Sequence, residues 1–387
     1  MRRNEIVISL LLCLFFARSM ATSTAFAQEI GPGIPGSGKA QVASTSTAWQ
    51  YDAAKIHLEG EIQNLEVQTP IVPTPDKYSY DQMVTDIHNL SAAYPDILTV
   101  NIIGTSLDGR DIYELILGNP HADRHILIQA GIHAREYMTP LLTMKQAEQA
   151  LDVYYRGSYH GKSIAEMFSQ AAIHYVPMSN PDGTTLSQFG LSGIRSEALK
   201  QEILRCYDTD RLHGRASANL NAYLSRWKSN ARGLDLNRSF DAGWAEIPTY
   251  TPYPSYDSYK GTSPASEPET QALVNLVNQR QWAATISYHS MGQLIYWDYP
   301  VNHCRDASRH LGNLISAATG YHMSSAVSGG GFKDWMQSNA ANFAPSVTLE
   351  VGQNPCPLSM SEYPTIWAQN RSVWAIALEF ALAQGHG

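Results

Sequence analysis

Two imidazoles and a carboxylate stand out among the residues able to do chemistry. His133 and Glu136 lie within Gly131-Ile132-His133-Ala134-Arg135-Glu136, and His289 lies within Ile286-Ser287-Tyr288-His289-Ser290. Such a trio is a ligand set for a catalytic zinc ion, which takes three protein groups and keeps a fourth position open. A His-x-x-Glu pair alone carries little weight in a chain with 13 histidines. The elements around it carry more. Residues 125–130 are a short apolar run closed by Gly131, which reads as a buried strand ending just before the pair. A second run, 282–288, ends at His289, and a third, 346–349, ends at Glu350 and Gly352. Three separated strands thus each deliver an acid or an imidazole at the carboxyl edge, where open α/β sheets bind ligands. A satisfied core histidine or a solvated glutamate explains any one of these better than chemistry does. It explains the three together worse.

Glu350 is the candidate general base, because its run 347–351 is otherwise apolar and a surface glutamate would sit oddly there. A carboxylate beside a metal-activated water can take its proton and later pass it to a leaving nitrogen. The segment 233–238 (Gly-Leu-Asp-Leu-Asn-Arg) supplies charge complements. The guanidinium of Arg238 can fork onto a substrate carboxylate, Asn237 can donate beside it, and Asp235 can fix the tautomer of a metal-bound imidazole. A salt-bridged surface loop accounts for this segment equally well.

These groups need a body to hold them. The chain has 387 residues, enough for one large domain or two small ones. It opens with Arg2 and Arg3, an apolar stretch over 6–17 and Ala25-Phe26-Ala27, the pattern of a secretory signal peptide over residues 1–27. The expectation is an exported protein, periplasmic or secreted, without stable membrane insertion. Removing that segment, with its three arginines and one glutamate, takes the formal charge from −8 to −10. An acidic chain without a basic run argues against nucleic acid as a partner. Of the remaining cysteines, Cys206, Cys304 and Cys356, either Cys304 pairs with Cys356 or all three are free thiols.

Residues 28–76 are rich in Pro, Gly, Ser and Thr and read as a linker with one short helix around 53–65. From there, patterns of helix (80–94, 139–156, 307–318, 367–382) and strand (98–103, 112–117, 172–177) alternate. The sequence Ser266-Glu267-Pro268-Glu269 predicts a capping box that opens a helix over 272–277. The fold class expected is α/β: a single domain over 77–387, with a mixed, mostly parallel twisted sheet and helices on both faces.

In this order the residues resemble the zinc carboxypeptidase (funnelin) family over nearly all of 78–384. The resemblance implies one zinc ion held by His133, Glu136 and His289, Glu350 as base, and Asn237 and Arg238 gripping a terminal carboxylate. It also implies Arg110 on the substrate path and Asp235 behind the first histidine. Asn180-Pro-Asp-Gly183 and 266–270 match as scaffold. Two departures matter. Lys228 follows Trp227 where the family places an oxyanion-stabilising arginine, with Arg232 as a spare candidate. Ala326 falls where a mobile tyrosine is usual. Lys333, in Gly329-Gly-Gly-Phe-Lys-Asp-Trp335, occupies the position that reads the departing side chain, and a cation there favours a carboxylate. With Trp227-Lys-Ser-Asn230 and Tyr288-His-Ser-Met-Gly-Gln293, this resembles the γ-D-glutamyl-diaminopimelate peptidase branch. The implied substrate is a peptidoglycan stem peptide and the implied state is compatible with a monomer. The alternatives are an exported metallocarboxypeptidase of ordinary peptides and a non-catalytic protein that binds wall peptides.

Overall fold

The computed structural model describes residues 53–338 and 341–384, so the expected export signal and residues 28–52 lie outside the described residues. In chain order the strands are β1 (Gly60–Glu61), β2 (Leu98–Thr105), β3 (Asp111–Gly118), β4 (Arg124–Gln129), β5 (Gly157–Tyr159), β6 (Lys162–Ser163), β7 (Ala171–Val176), β8 (Ala284–His289), β9 (Leu294–Tyr296), β10 (His322–Ser324) and β11 (Ser346–Glu350). Eight of them form one sheet in the order β10-β9-β11-β8-β4-β7-β3-β2. The central strands β11, β8, β4 and β7 run parallel. Antiparallel β3 and β2 extend one edge, and β9, antiparallel to β11, extends the other.

The central strands are apolar on both faces, so both faces must be covered. Ile126 and Ile128 of β4 enter a core shared with the helices Met138–Asp152, Arg305–Thr319 and Val373–Ala383. Leu127, between them, joins the opposite core with Pro268–Val277 and Phe332–Ser338. Because β4, β8 and β11 point the same way, their carboxyl ends share one edge, and Glu350 sits directly in register with His289. This is the single mixed sheet, helices on both faces, that the alternating pattern predicts.

Several local expectations change. Residues 53–76 do not trail as a tether. Ile62 and Val72 are 1% and 2% exposed, and β1 pairs with β5. The buried Glu148 carboxylate accepts the backbone N–H groups of Ile71 and Val72, and the Arg156 and Arg371 guanidiniums hold carbonyls of Ile62, Leu65 and Glu66. The helix expected over 53–65 is two 3-10 turns, Ala53–Lys55 and Ile62–Asn64, separated by β1, with Gly60 at φ 157° breaking the run. The helix expected over 367–382 is split into Tyr363–Asn370 and Val373–Ala383, and the break frees Arg371 to reach the N-terminal strap. The helix Glu197–Leu212, which no pattern reading anticipated, buries the stripe Leu199, Ile203, Cys206, Tyr207 and Asp210 under a largely charged surface.

The capping box also fails to form. Glu267, not Ser266, is the N-cap, Ser266 Oγ turns to Glu267 Oε1, and Glu269 points inward. There Glu269 meets Asn230 Nδ2 and the Leu107 N–H at 3.4 Å each. Burial, then the Asp182 carboxylate, pushes its carboxyl from the ordinary 4.5 up to about 7. The folded state therefore binds this proton more tightly than the unfolded chain does. Its contribution is complete below pH 4.5 and is lost as pH rises through 7, a change of about 3 kcal/mol. Glu269→Gln is expected to flatten that part of the stability–pH curve, read as urea unfolding free energy from pH 4.5 to 8. A slope identical to wild type refutes a buried, protonated Glu269.

Candidate active site

Gly131 closes β4 with φ 63°, and a Cβ there would meet Pro140 Cγ at 2.9 Å, so the strand turns sharply at glycine into the ligand loop. Two side chains hold that loop. Asn180 Nδ2 donates to the carbonyls of Ile132 and Ser229 at 3.1 Å each, which gives the Asn-Pro-Asp-Gly motif its scaffold role. Thr139 Oγ1 accepts from the Gly131 N–H at 3.1 Å and donates to the Glu136 carbonyl at 2.9 Å. His289 arrives as the last residue of β8, 153 positions later in the chain.

Four ligand atoms converge at this edge. His133 Nδ1 lies 2.9 Å from Glu136 Oε1, and His289 Nδ1 lies 3.0 Å from both Glu136 Oε2 and His133 Nδ1. All three residues are buried. Bonds of roughly 2.0–2.2 Å to a tetrahedral zinc put its ligand atoms roughly 3 Å or a little more apart. The observed spacing fits such an ion without rearrangement. The two imidazole Nδ1 atoms lie 3.0 Å apart, so that a single ion between them would take both lone pairs. Among the described residues this is the one group of three His, Cys, Asp or Glu side chains able to hold a metal.

Asp235 stands behind the first histidine, with Oδ1 3.2 Å from His133 Nε2 at an oblique angle. It accepts the backbone N–H groups of Asn237 and Ser258 and lies 3.3 Å from Lys228 Nζ. Burial alone would raise this carboxyl, but the Lys228 ammonium and the His133 imidazole overcome it and hold it well below the usual carboxylate range. Its lasting charge orients the imidazole. Glu350 behaves oppositely. Burial, only partly offset by His289, pushes its carboxyl up to about 7.

A cavity of about 370 Å³ opens over these groups. His133, Glu136 and Glu350 line it together with Lys228, Asn237, Arg238 and Lys333. Asn237 Oδ1 is occupied by the Phe332 N–H. Arg238 donates to the Asn237 carbonyl at 2.9 Å and has no acidic partner within ion-pair distance among the described residues. Lys333 is buried, donates to the Asp298 carbonyl at 2.6 Å and pairs with Asp334. Ala326 lines the wall at the place where a tyrosine is usual.

Two sequence assignments do not reach this cavity. Arg110 is 4% exposed and spends its guanidinium on Asp108 at 2.6 Å, Asp182 at 2.8 Å and the Gly193 carbonyl at 2.6 Å. It clamps loops together and does not face substrate. Arg110→Ala is expected to cost about 3–5 kcal/mol by stranding two buried carboxylates, while kcat/KM per folded molecule stays at the wild-type value. Chemical denaturation and active-site titration check this, and a kcat/KM loss at unchanged stability would return Arg110 to the substrate path. Arg232 is paired with Glu202 and Glu267 outside the cavity, which removes it as a spare oxyanion donor. The Cys304–Cys356 pair is absent too. Cys304 contacts Ser308, and the Cys356 thiol donates to the Ser290 carbonyl at 3.3 Å. Several lining residues escaped the sequence reading, among them Tyr296, Thr348 and Arg135, the last of which sits between the two ligands of the first motif.

Comparison with known proteins agrees with this geometry. Residues 83–372 match the zinc carboxypeptidase family. The chain is 30% identical over 311 residues to γ-D-glutamyl-L-diamino acid endopeptidase 1 of Lysinibacillus sphaericus, covering 80% of this chain and 74% of that protein. It is 26% identical to human mast cell carboxypeptidase A over 59% of this chain and 51% of that one. Among solved structures, carboxypeptidase A of Helicoverpa armigera superposes with a TM-score of 0.58 at 19% identity, covering 80% of this chain and 74% of that one. Bovine thrombin-activatable fibrinolysis inhibitor gives 0.58 at 20% identity, with 79% and 97% covered.

Proposed function

The chain belongs to the zinc carboxypeptidase family, and from that premise we propose that this zinc metallopeptidase is exported and hydrolyses the γ-D-glutamyl–diaminopimelate amide of peptidoglycan stem peptides. The observation that carries this reading is the charge of the catalytic cavity, where Arg135, Lys228, Arg238 and Lys333 surround the ligand trio. Such a wall suits a substrate that brings several carboxylates, as stem peptides with diaminopimelate do and most ordinary peptides do not. The name of the Lysinibacillus relative supports the same bond type.

His133, Glu136 and His289 would hold the zinc ion, which when bound would supply Lewis acidity toward the scissile carbonyl. Glu350 takes the proton of the attacking water and returns it to the departing amine. Burial raises its carboxyl above the ordinary glutamate range, which makes it a better proton acceptor than an exposed carboxylate. The Lys228 ammonium, fixed against Asp235, faces the cavity as the counter-charge for the developing oxyanion. Arg238 and Asn237 fix a carboxylate on the leaving side, and Lys333, shared with Asp334, sits beside them for the second carboxylate of diaminopimelate.

The test compares muropeptides that differ only in the third residue, diaminopimelate or lysine, with products assigned by mass spectrometry. Cleavage between glutamyl and diaminopimelate, faster than for the lysine peptide, is expected. Equal turnover, or none, defeats the reading. The ion pair between Lys333 and Asp334 halves the charge that pocket offers and favours, as a second reading, release of ordinary C-terminal residues. Efficient cleavage of blocked dipeptides would select that one.

A further inference from the structure

Returning a proton to the departing nitrogen sets a condition that Glu350 alone does not meet. In the intact amide the nitrogen lone pair is delocalised into the carbonyl. Once water has added, the lone pair localises and must point at the Glu350 carboxyl to take the proton back. The remaining N–H is then turned away from Glu350, toward the leaving-side wall, and needs an acceptor there. Most groups on that wall cannot accept. Arg238 and Lys333 are donors only. Asn237 Oδ1 already takes the Phe332 N–H at 2.9 Å, and the Asp334 carboxylate takes Lys333 and the Gly329 N–H at 3.1 Å. Ala326 has no polar side-chain atom, and Ser328 is solvent-exposed on the same loop.

Tyr296 is the exception. β9 runs antiparallel to β11, with Leu294 opposite Glu350 and Tyr296 opposite Thr348. Tyr296 is therefore the diagonal neighbour of the base on one face of the sheet, roughly 7–8 Å away and within reach of an aromatic side chain. Both line the cavity. Lys333 Nζ donates to the carbonyl of Asp298, two residues beyond Tyr296, so the phenol and the leaving-side cation share a wall. The Tyr296 hydroxyl makes no hydrogen bond among the described residues. Burial, then the Glu350 charge, raises the phenol and keeps its proton in place. A protonated phenol still has a lone pair to offer. Thr348, across the strands, is 7% exposed and has a shorter side chain. We infer that Tyr296 is a further catalytic residue, whose hydroxyl oxygen accepts the N–H of the departing nitrogen and so aims its lone pair at Glu350.

An ester in place of the scissile amide has no N–H to orient, so the experiment compares an amide with its ester. The pair is the stem tripeptide L-Ala-γ-D-Glu-diaminopimelate and the analogue in which a hydroxyl of the leaving residue replaces the acylated amine. Should wild type cleave only ordinary peptides, a blocked dipeptide and its ester take their place, and failure of the stem-peptide reading leaves this test intact. Rates are taken per zinc-loaded molecule of purified protein. Tyr296→Phe is expected to lower kcat on the amide by roughly 3–10-fold, the worth of one neutral hydrogen bond, with KM and the ester rate at their wild-type values. The acid limb of the pH profile, set by Glu350, should stay in place. Full amide activity, an equal loss on amide and ester, or a rise in KM alone overturns the assignment. A displaced acid limb overturns it too, because Tyr296 would then act by positioning Glu350. An ester rate at the wild-type value in the same preparation shows that the variant has folded.

Discussion

Glu350→Gln is expected to lower kcat on the stem tripeptide by about 10²–10⁴-fold, the usual weight of a positioned general base, with one zinc ion still bound per chain. Glutamine keeps the size of the side chain and can still donate or accept a hydrogen bond, but it cannot carry a proton between water and amine. Its place is held by the pairing of β11 with β8, so the substitution should leave the cleft as it is. Steady-state kinetics alongside metal analysis of the same preparation make the check. A variant with full metal content and near wild-type turnover would remove Glu350 from the chemistry and revive a wall-peptide binding protein as the better description.

His289→Ala is expected to abolish both activity and stoichiometric zinc. The remaining pair, His133 and Glu136, lies three residues apart on one loop, and two ligands do not close a catalytic site. The comparison variant is Asp235→Asn, which touches no ion directly. It should weaken zinc affinity by about 10–100-fold and leave activity recoverable with excess metal. If His289→Ala retained one zinc per chain at wild-type affinity, the ion would have to sit elsewhere. Circular dichroism separates metal loss from unfolding, since His289 ends a strand whose residues Ala284, Ile286 and Tyr288 stay packed in the core.

The parts of this site that were legible in the sequence share one property: they sit where a recognisable strand stops. His133, His289 and Glu350 each follow an apolar run closed by glycine or serine, and period and punctuation are local signals. What failed was non-local. Arg110 carries the right charge in a loop with the right look, yet Asp108 and Asp182 take it up, and the partner from residue 182 is 72 positions away. Arg135 was overlooked although it lies inside the most telling motif, because a residue flanked by ligands reads as filler until a cavity is seen beside it. The capping box followed a sound rule, but Ser266 Oγ turned to Glu267, and Glu269 turned inward to Asn230 and the Leu107 N–H, partners distant in sequence. Composition misled in the N-terminal segment, where Pro and Gly suggested a free tether and Glu148 and Arg371 supplied docking points from elsewhere in the chain.

That docked segment has a mechanical consequence. Residues 59–68 are gripped by Asp152 and Arg156 on one side, and residues 62–66 by Arg371, about 305 positions onward, on the other. The beginning and the end of the folded body are thereby laced to each other as well as to the middle. A single peptide-bond cut near residue 76 would leave two pieces that co-purify, and the short one would be released only when the lacing itself is melted. Any maturation by clipping at that point would be silent on a sizing column and visible only under denaturing conditions.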